Sequence, residues 1–146
     1  MDKLAVIYSY LLAFGFTTVA LVYLLKVPYW ITGEKPLVDL YYYTNYTTNI
    51  PLDILLISVY LAFAYFLSNR IGIESWYFQI MMVVVTTVLI SGSFYWYFTS
   101  KPKTSDFFSK WFHTVGYNAV IYDIILVSTT FVVYQYLLSK FNKKNT

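Results

Sequence analysis

Two aspartates are the residues of this sequence best suited to chemistry, because each lies inside a long apolar stretch. Asp53 follows Pro51, and Asp123 lies deeper in its own stretch. A charged side chain at the bilayer centre costs about 2.5–3.5 kcal/mol on insertion scales, so it persists where it faces a bundle interior, is paired or lies near the interface. Two carboxylates in a shared low-dielectric site would hold a proton between them. One hypothesis is therefore a proton or ion relay of Asp53 and Asp123, with Tyr60 two turns after Asp53.

The alternative is that both aspartates are structural. Asp53 is expected about one turn into its helix, where the helix dipole favours a carboxylate. Asp123 shares a helical face with Gly116, Ala119 and Val120, small residues that suit close packing between transmembrane helices. In this interpretation Tyr or Thr hydroxyls satisfy both carboxylates.

No metal site, cofactor or enzymatic reaction is expected from the remaining residues. His113 is the only histidine, it lies beside Lys110, and cysteine is absent. A lone histidine is a poor metal site, so we expect His113 to meet solvent or lipid headgroups. No phosphate-binding loop or hydrolase motif occurs, which argues against an enzyme.

Four apolar stretches must position these residues. They are Leu4–Leu25, Ile50–Leu67, Trp76–Phe98 and Asn118–Leu138. A helix rises about 1.5 Å per residue, so roughly 20 residues cross a bilayer. The chain is 59% hydrophobic and 12% charged, against about 45–50% and about 25% in soluble domains. The sequence therefore predicts an all-α, four-transmembrane-helix bundle as a single integral membrane domain, residues 1–146.

Charge and tryptophan placement bear on how the bundle lies in the membrane. With four spans both termini share one side, and each side carries five Lys or Arg residues. The positive-inside rule therefore gives a tie, which the cluster at Lys140–Lys144 tips towards cytoplasmic termini. The net charge of +3 does not indicate nucleic-acid binding. All four tryptophans fall at predicted span ends, as in aromatic belts: Trp30, Trp76, Trp96 and Trp111.

A short amphipathic helix is predicted over Asp106–Val115. Its aromatic residues share one face and its polar residues the other, a pattern typical of a helix in the membrane interface, with Ser105 as its cap. A weaker version, Leu37–Tyr43, follows Pro36. The expected contact surfaces for self-association or for other membrane or capsid proteins are Leu37–Tyr43, Phe107–His113 and the basic tail. The predicted contact residues are Tyr41, Tyr42, Phe107, Phe108, Trp111, Phe112 and His113.

The second half of the chain matches the first at an offset of 70. Asp53–Ser58 lies over Asp123–Ser128, with four of the six positions identical. This predicts two two-span repeats of parallel topology, about residues 4–70 and 76–140, related by a pseudo-two-fold axis along the membrane normal. Each repeat would comprise a span, an interfacial helix and an Asp-bearing span. The alternative is chance similarity between apolar segments.

A family resemblance rests on two stretches, Asn49–Asp53 and Trp111–Asp123, and on heavy use of Tyr, Phe, Ile, Asn and Lys. The chain resembles small four-helix membrane proteins of giant and algal large DNA viruses. This resemblance implies a multi-pass protein of a virion inner membrane or a host endomembrane. It supplies no catalytic residue.

Three functions are consistent with these patterns. The first is a structural or assembly membrane protein whose partners are the lipid bilayer, itself or capsid proteins. The alternative is a small proton or ion channel or transporter using Asp53 and Asp123. The third is an interfacial lipid-binding or lipid-processing protein.

Overall fold

The computed structural model describes residues 2–144, without the side chain of Lys144, and all its regular elements are helical. The elements are α1 (Lys3–Thr18), a π-helical continuation π1 (Val19–Leu24), α2 (Val27–Thr32), α3 (Lys35–Asp39), a π-helical segment π2 (Leu40–Thr44), α4 (Tyr46–Ile71), α5 (Trp76–Thr99), α6 (Phe107–Val115) and α7 (Asn118–Lys144). Four helical segments are long and apolar enough to cross a membrane: Lys3–Leu24, Tyr46–Ile71, Trp76–Thr99 and Asn118–Lys143. The prediction of an all-α, four-span protein is confirmed.

The start of α4 differs from the sequence expectation. The helix begins at Tyr46, earlier than the predicted Ile50, and continues through Pro51. Its polar first turn is anchored by the side-chain amide of Asn49, which donates to the carbonyl oxygen of Tyr41 at 3.1 Å. Asp53 is therefore the eighth residue of α4 and not a first-turn carboxylate, which corrects the expected one-turn depth. Hydropathy alone missed this turn because its residues are polar.

The long helices pack through small and hydroxyl-bearing side chains. α7 packs against both α1 and α5, and α4 packs against α5. Threonines and serines in α1 and α5 are buried at these contacts, as small residues are in transmembrane bundles: Thr17, Thr18, Thr86, Thr87 and Ser91. α1 reaches α4 through Tyr10, whose hydroxyl donates to the carbonyl oxygen of Ile54.

The short elements all lie at the end of the bundle where α1 and α5 end and α4 and α7 begin, here called the loop side. α6 starts at Asp106, whose carboxylate accepts the Ser109 N–H at 3.3 Å; the cap is therefore Asp106 and not Ser105. Trp111 is only 7% exposed, whereas Trp30 is 83% exposed. The expectation that Trp111 belongs to an aromatic belt is wrong, because α6 turns its apolar face towards the bundle.

Candidate functional site

A cavity of about 70 Å³ lies between α4 and α7. On the loop side it is covered by π2 and α6, so those short elements act as its roof. The lining contains no Lys, Arg or His among the described residues. It consists of Tyr41, Tyr42, Asp53, Leu56, Ile57, Tyr60, Phe107, Phe108, Trp111, Phe112, Tyr122, Asp123, Leu126 and Val127.

Asp53 meets this cavity from α4 and is held by a tyrosine from the roof. Its side chain is 9% exposed, and its Oδ1 accepts the hydroxyl of Tyr41 at 2.5 Å. Burial, together with the nearby charge of Asp53, raises the pKa of the Tyr41 hydroxyl above its usual range. Tyr41 therefore stays protonated and donates to the carboxylate.

Asp123 meets the cavity from α7 and has a different partner. The Ser91 hydroxyl of α5 donates to Asp123 Oδ2 at 2.5 Å. Asp53 and Asp123 lie seven and five residues after the first residues of α4 and α7. At about 1.5 Å per residue both carboxylates lie roughly 8–10 Å along their helices from the loop side. The two carboxylates are therefore at similar depths.

Tyrosine hydroxyls complete the polar part of the lining. Tyr42 and Tyr122 share a hydrogen bond of 2.5 Å between their hydroxyls, and burial raises the pKa of Tyr42 well above its usual range. Tyr60 is only 5% exposed and lines the cavity. Its hydroxyl forms no hydrogen bond with any side chain or backbone group described. The predicted relay residues Asp53, Asp123 and Tyr60 thus face one cavity.

Most of the residues that were expected to form an outer contact surface lie inside the bundle end. Tyr41, Tyr42, Trp111 and Phe112 are buried, and the half-buried Phe107 and Phe108 also line the cavity. These aromatic side chains face inward because they pack on one another and on α5: the ring centroids of Tyr41 and Phe107 are 5.1 Å apart, and those of Phe98 and Phe112 are 5.6 Å apart. His113 is half-buried, and its Nε2 lies 2.9 Å from the carbonyl oxygen of Lys101.

Ten of the fourteen lining residues form five pairs separated by 70 positions. The pairs are Tyr41 and Trp111, Tyr42 and Phe112, Asp53 and Asp123, Leu56 and Leu126, and Ile57 and Val127. Sequence reasoning singled out the aspartate pair and the aromatic segments but did not place them in one cavity. It also did not assign Ser91 or Tyr122 to the site, and the offset of 70 gives no signal for either.

The donor set does not resemble a metal centre. Over residues 2–144, no three His, Cys, Asp or Glu side chains are grouped so that they could hold a metal ion. A comparison with known protein families, curated proteins and solved structures finds no match to this chain. The four spans define its class, a multi-pass integral membrane protein.

Proposed function

We propose that the protein binds and moves protons or small monovalent cations within the membrane, with Asp53 and Asp123 as the binding groups. The observation that carries this proposal is that two carboxylates from different halves of the chain face one cavity whose described lining has no basic side chain. An ionisable residue within a transmembrane helix marks a functional site by default, because its burial is costly. A bound proton or cation would offset that cost.

The groups around the carboxylates suit transfer of a proton. Asp53 is faced by the Tyr41 hydroxyl, and Asp123 by the Ser91 hydroxyl. Tyr60 lies seven residues beyond Asp53 in α4, roughly 10 Å further from the loop side at about 1.5 Å per residue. In this proposal a proton enters at the aspartates and Tyr60 offers the next hydroxyl inward.

The cavity favours proton or cation binding over a purely structural role for the two aspartates. The structural role remains a prediction. A structural carboxylate needs hydroxyl donors, and each aspartate has one. A structural role does not account for two such groups facing a shared space in the bundle interior, where close packing is the rule.

The five residue pairs also support a proposal of internal duplication. A pseudo-two-fold axis between α4 and α7 would exchange the two aspartates and exchange π2 with α6. The packing of α1 on α7 and of α5 on α4 fits the same exchange, whereas the extensive packing of α5 on α7 has no counterpart of similar size between α1 and α4 in the described residues. A duplicated half-site is a simple origin for a cavity with paired carboxylates.

The test is proton flux into liposomes containing the purified protein and an internal pH-sensitive dye. We expect a pH gradient to drive flux with the wild-type protein, and Asp123→Asn or Asp53→Asn to abolish most of it. The matched control is Asp39→Asn, because Asp39 lies outside the cavity and accepts the hydroxyl of Tyr29. Equal flux in wild type and Asp123→Asn, or no flux above that of empty liposomes, would contradict the proposal.

A further inference from the structure

The cavity is more aromatic than binding of a proton requires. Eight of its fourteen lining residues are Phe, Tyr or Trp. Aromatic rings attract cations through the negative charge of their faces, and aromatic cages are the usual receptors for alkylated ammonium groups. Carboxylates beside such rings add a full opposite charge in a low-dielectric setting, where its attraction is strong.

We infer that the cavity between α4 and α7 binds an organic ammonium group, with Asp53 and Asp123 neutralising its charge and the aromatic roof surrounding its carbon atoms. This inference rests on the proposed cation-binding function and names the class of cation. The roof residues that carry it are Tyr41, Trp111 and Phe112, each at most 7% exposed.

A second observation, independent of the acidic pair, points to a ligand. Tyr60 is only 5% exposed and lines the cavity. Its hydroxyl has no hydrogen-bond partner in the described chain. In the described residues the fully enclosed hydroxyls without a partner are those of Ser9, Thr17, Thr86 and Ser128. The Tyr60 hydroxyl is not among them, so it is accessible to a molecule in the cavity. The hydroxyl of a ligand such as choline, or an N–H of an ammonium group that is not fully alkylated, would supply the missing partner.

The donor set and the size of the cavity favour an organic cation over a hard inorganic one. Calcium takes six to eight oxygen ligands and magnesium requires an octahedron of them, whereas most of this lining is carbon. One water needs about 10–15 Å³ of such cavity volume, so the cavity of about 70 Å³ holds a few waters. That space suits a small alkylated ammonium headgroup and not a whole lipid.

The same chemistry could be presented by a free amine or by the headgroup of a choline lipid. We propose to measure equilibrium binding of radiolabelled choline to the full chain in nanodiscs, with empty nanodiscs subtracted and tetramethylammonium as competitor. One set of nanodiscs contains only phosphatidylglycerol, and the other contains phosphatidylcholine. Saturable binding in the first set supports the inference. Weaker binding in the second set assigns the site to a lipid headgroup, and equal binding assigns it to a free amine.

Variants separate this site from general attraction of cations to the membrane. We expect Asp123→Asn to weaken choline binding at least about tenfold. Trp111→Leu should weaken it roughly threefold to tenfold, the range that loss of a cation–π contact predicts. Trp96→Leu is the matched control, because Trp96 is 72% exposed. Tyr60→Phe keeps the ring and the fold while removing the unpartnered hydroxyl, and it should also weaken binding.

The outcomes distinguish failure of this inference from failure of the proposed function. Proton flux that depends on Asp123, together with absence of saturable choline binding, would overturn the ammonium site and leave cation transport standing. Choline binding that is equal in wild type, Asp123→Asn and Tyr60→Phe would also overturn it, because the ligand would then lie outside the cavity. Absence of both proton flux and saturable choline binding in the wild-type protein would contradict both proposals.

Discussion

At the scale of single residues, each aspartate depends on a hydroxyl from another part of the chain. Tyr41 lies 12 positions before Asp53, and Ser91 lies 32 positions before Asp123. A hydrogen bond to a charged group contributes about 1.5–3 kcal/mol, so these two donors stabilise the site as well as orient it. The structural interpretation of the sequence has Tyr or Thr hydroxyls satisfying both carboxylates, and a tyrosine does so at Asp53. At Asp123 the donor is a serine.

Ser91→Ala should lower the free energy of unfolding by about 1–3 kcal/mol, because it leaves a carboxylate oxygen of the half-buried Asp123 without its donor. The measurement is unfolding in mixed micelles titrated with sodium dodecyl sulfate, followed by circular dichroism. Ser93→Ala is the matched control, since the exposed Ser93 hydroxyl bonds only to the carbonyl of Leu89 in its own helix. Equal unfolding free energies for the two variants would show that the Asp123 contact contributes nothing.

Tyrosine ionisation should make stability depend on alkaline pH. The folded protein raises the pKa of Tyr41 and Tyr42, while in the unfolded chain tyrosine ionises near its ordinary value of about 10. The folded state therefore keeps protons that the unfolded state loses. Their contribution to stability is complete below about pH 10 and falls as the pH rises further.

The measurement is the midpoint of detergent unfolding between pH 8 and pH 11. Above about pH 10, the stability of Tyr41→Phe should fall less steeply with pH than that of the wild type. Tyr43→Phe should retain the wild-type slope, because Tyr43 is 45% exposed. A steeper slope for Tyr41→Phe than for the wild type would be the opposite of what burial of Tyr41 requires.

At the scale of elements, the decisive feature is the roof formed by π2 and α6. Periodicity predicted α6 and its aromatic face, and that face was expected to lie in the membrane interface. In the structure the face covers the cavity, and α6 is connected to α7 by a tight turn that contains Gly116. That residue has φ of +67° and ψ of −147°, a region that is accessible essentially only to glycine.

Gly116→Ala should therefore destabilise the protein by about 1–3 kcal/mol through backbone strain. Steric crowding is not the cause, because a Cβ at this position would meet nothing within 4 Å. Gly92→Ala is the control: Gly92 lies inside α5, is equally uncrowded, and gains helix propensity of up to about 1 kcal/mol on substitution. Detergent unfolding of the two variants checks this difference. Similar changes in unfolding free energy for the two variants would contradict the claim that the backbone conformation at Gly116 requires glycine.

At the scale of the whole molecule, four spans place the α4–α5 connection opposite the loop that precedes α6. The chain contains no cysteine, so single cysteines report on each side without background. In sealed vesicles an impermeant maleimide should label only one of Ser75→Cys and Thr104→Cys. Permeabilised vesicles, in which both should react, provide the control. Labelling of both variants in sealed vesicles would contradict the four-span topology.

The sequence by itself determined the number and approximate limits of the spans, because hydropathy is a local property summed over about 20 residues. It also singled out the two aspartates, since charge within apolar segments is visible without coordinates. Only the tertiary structure decided that Asp53, Asp123 and Tyr60 share a cavity and that Trp111 lies inside. Those facts depend on how α4, α6 and α7 rotate and pack together, and contacts between residues distant in sequence fix that rotation, which no local pattern encodes.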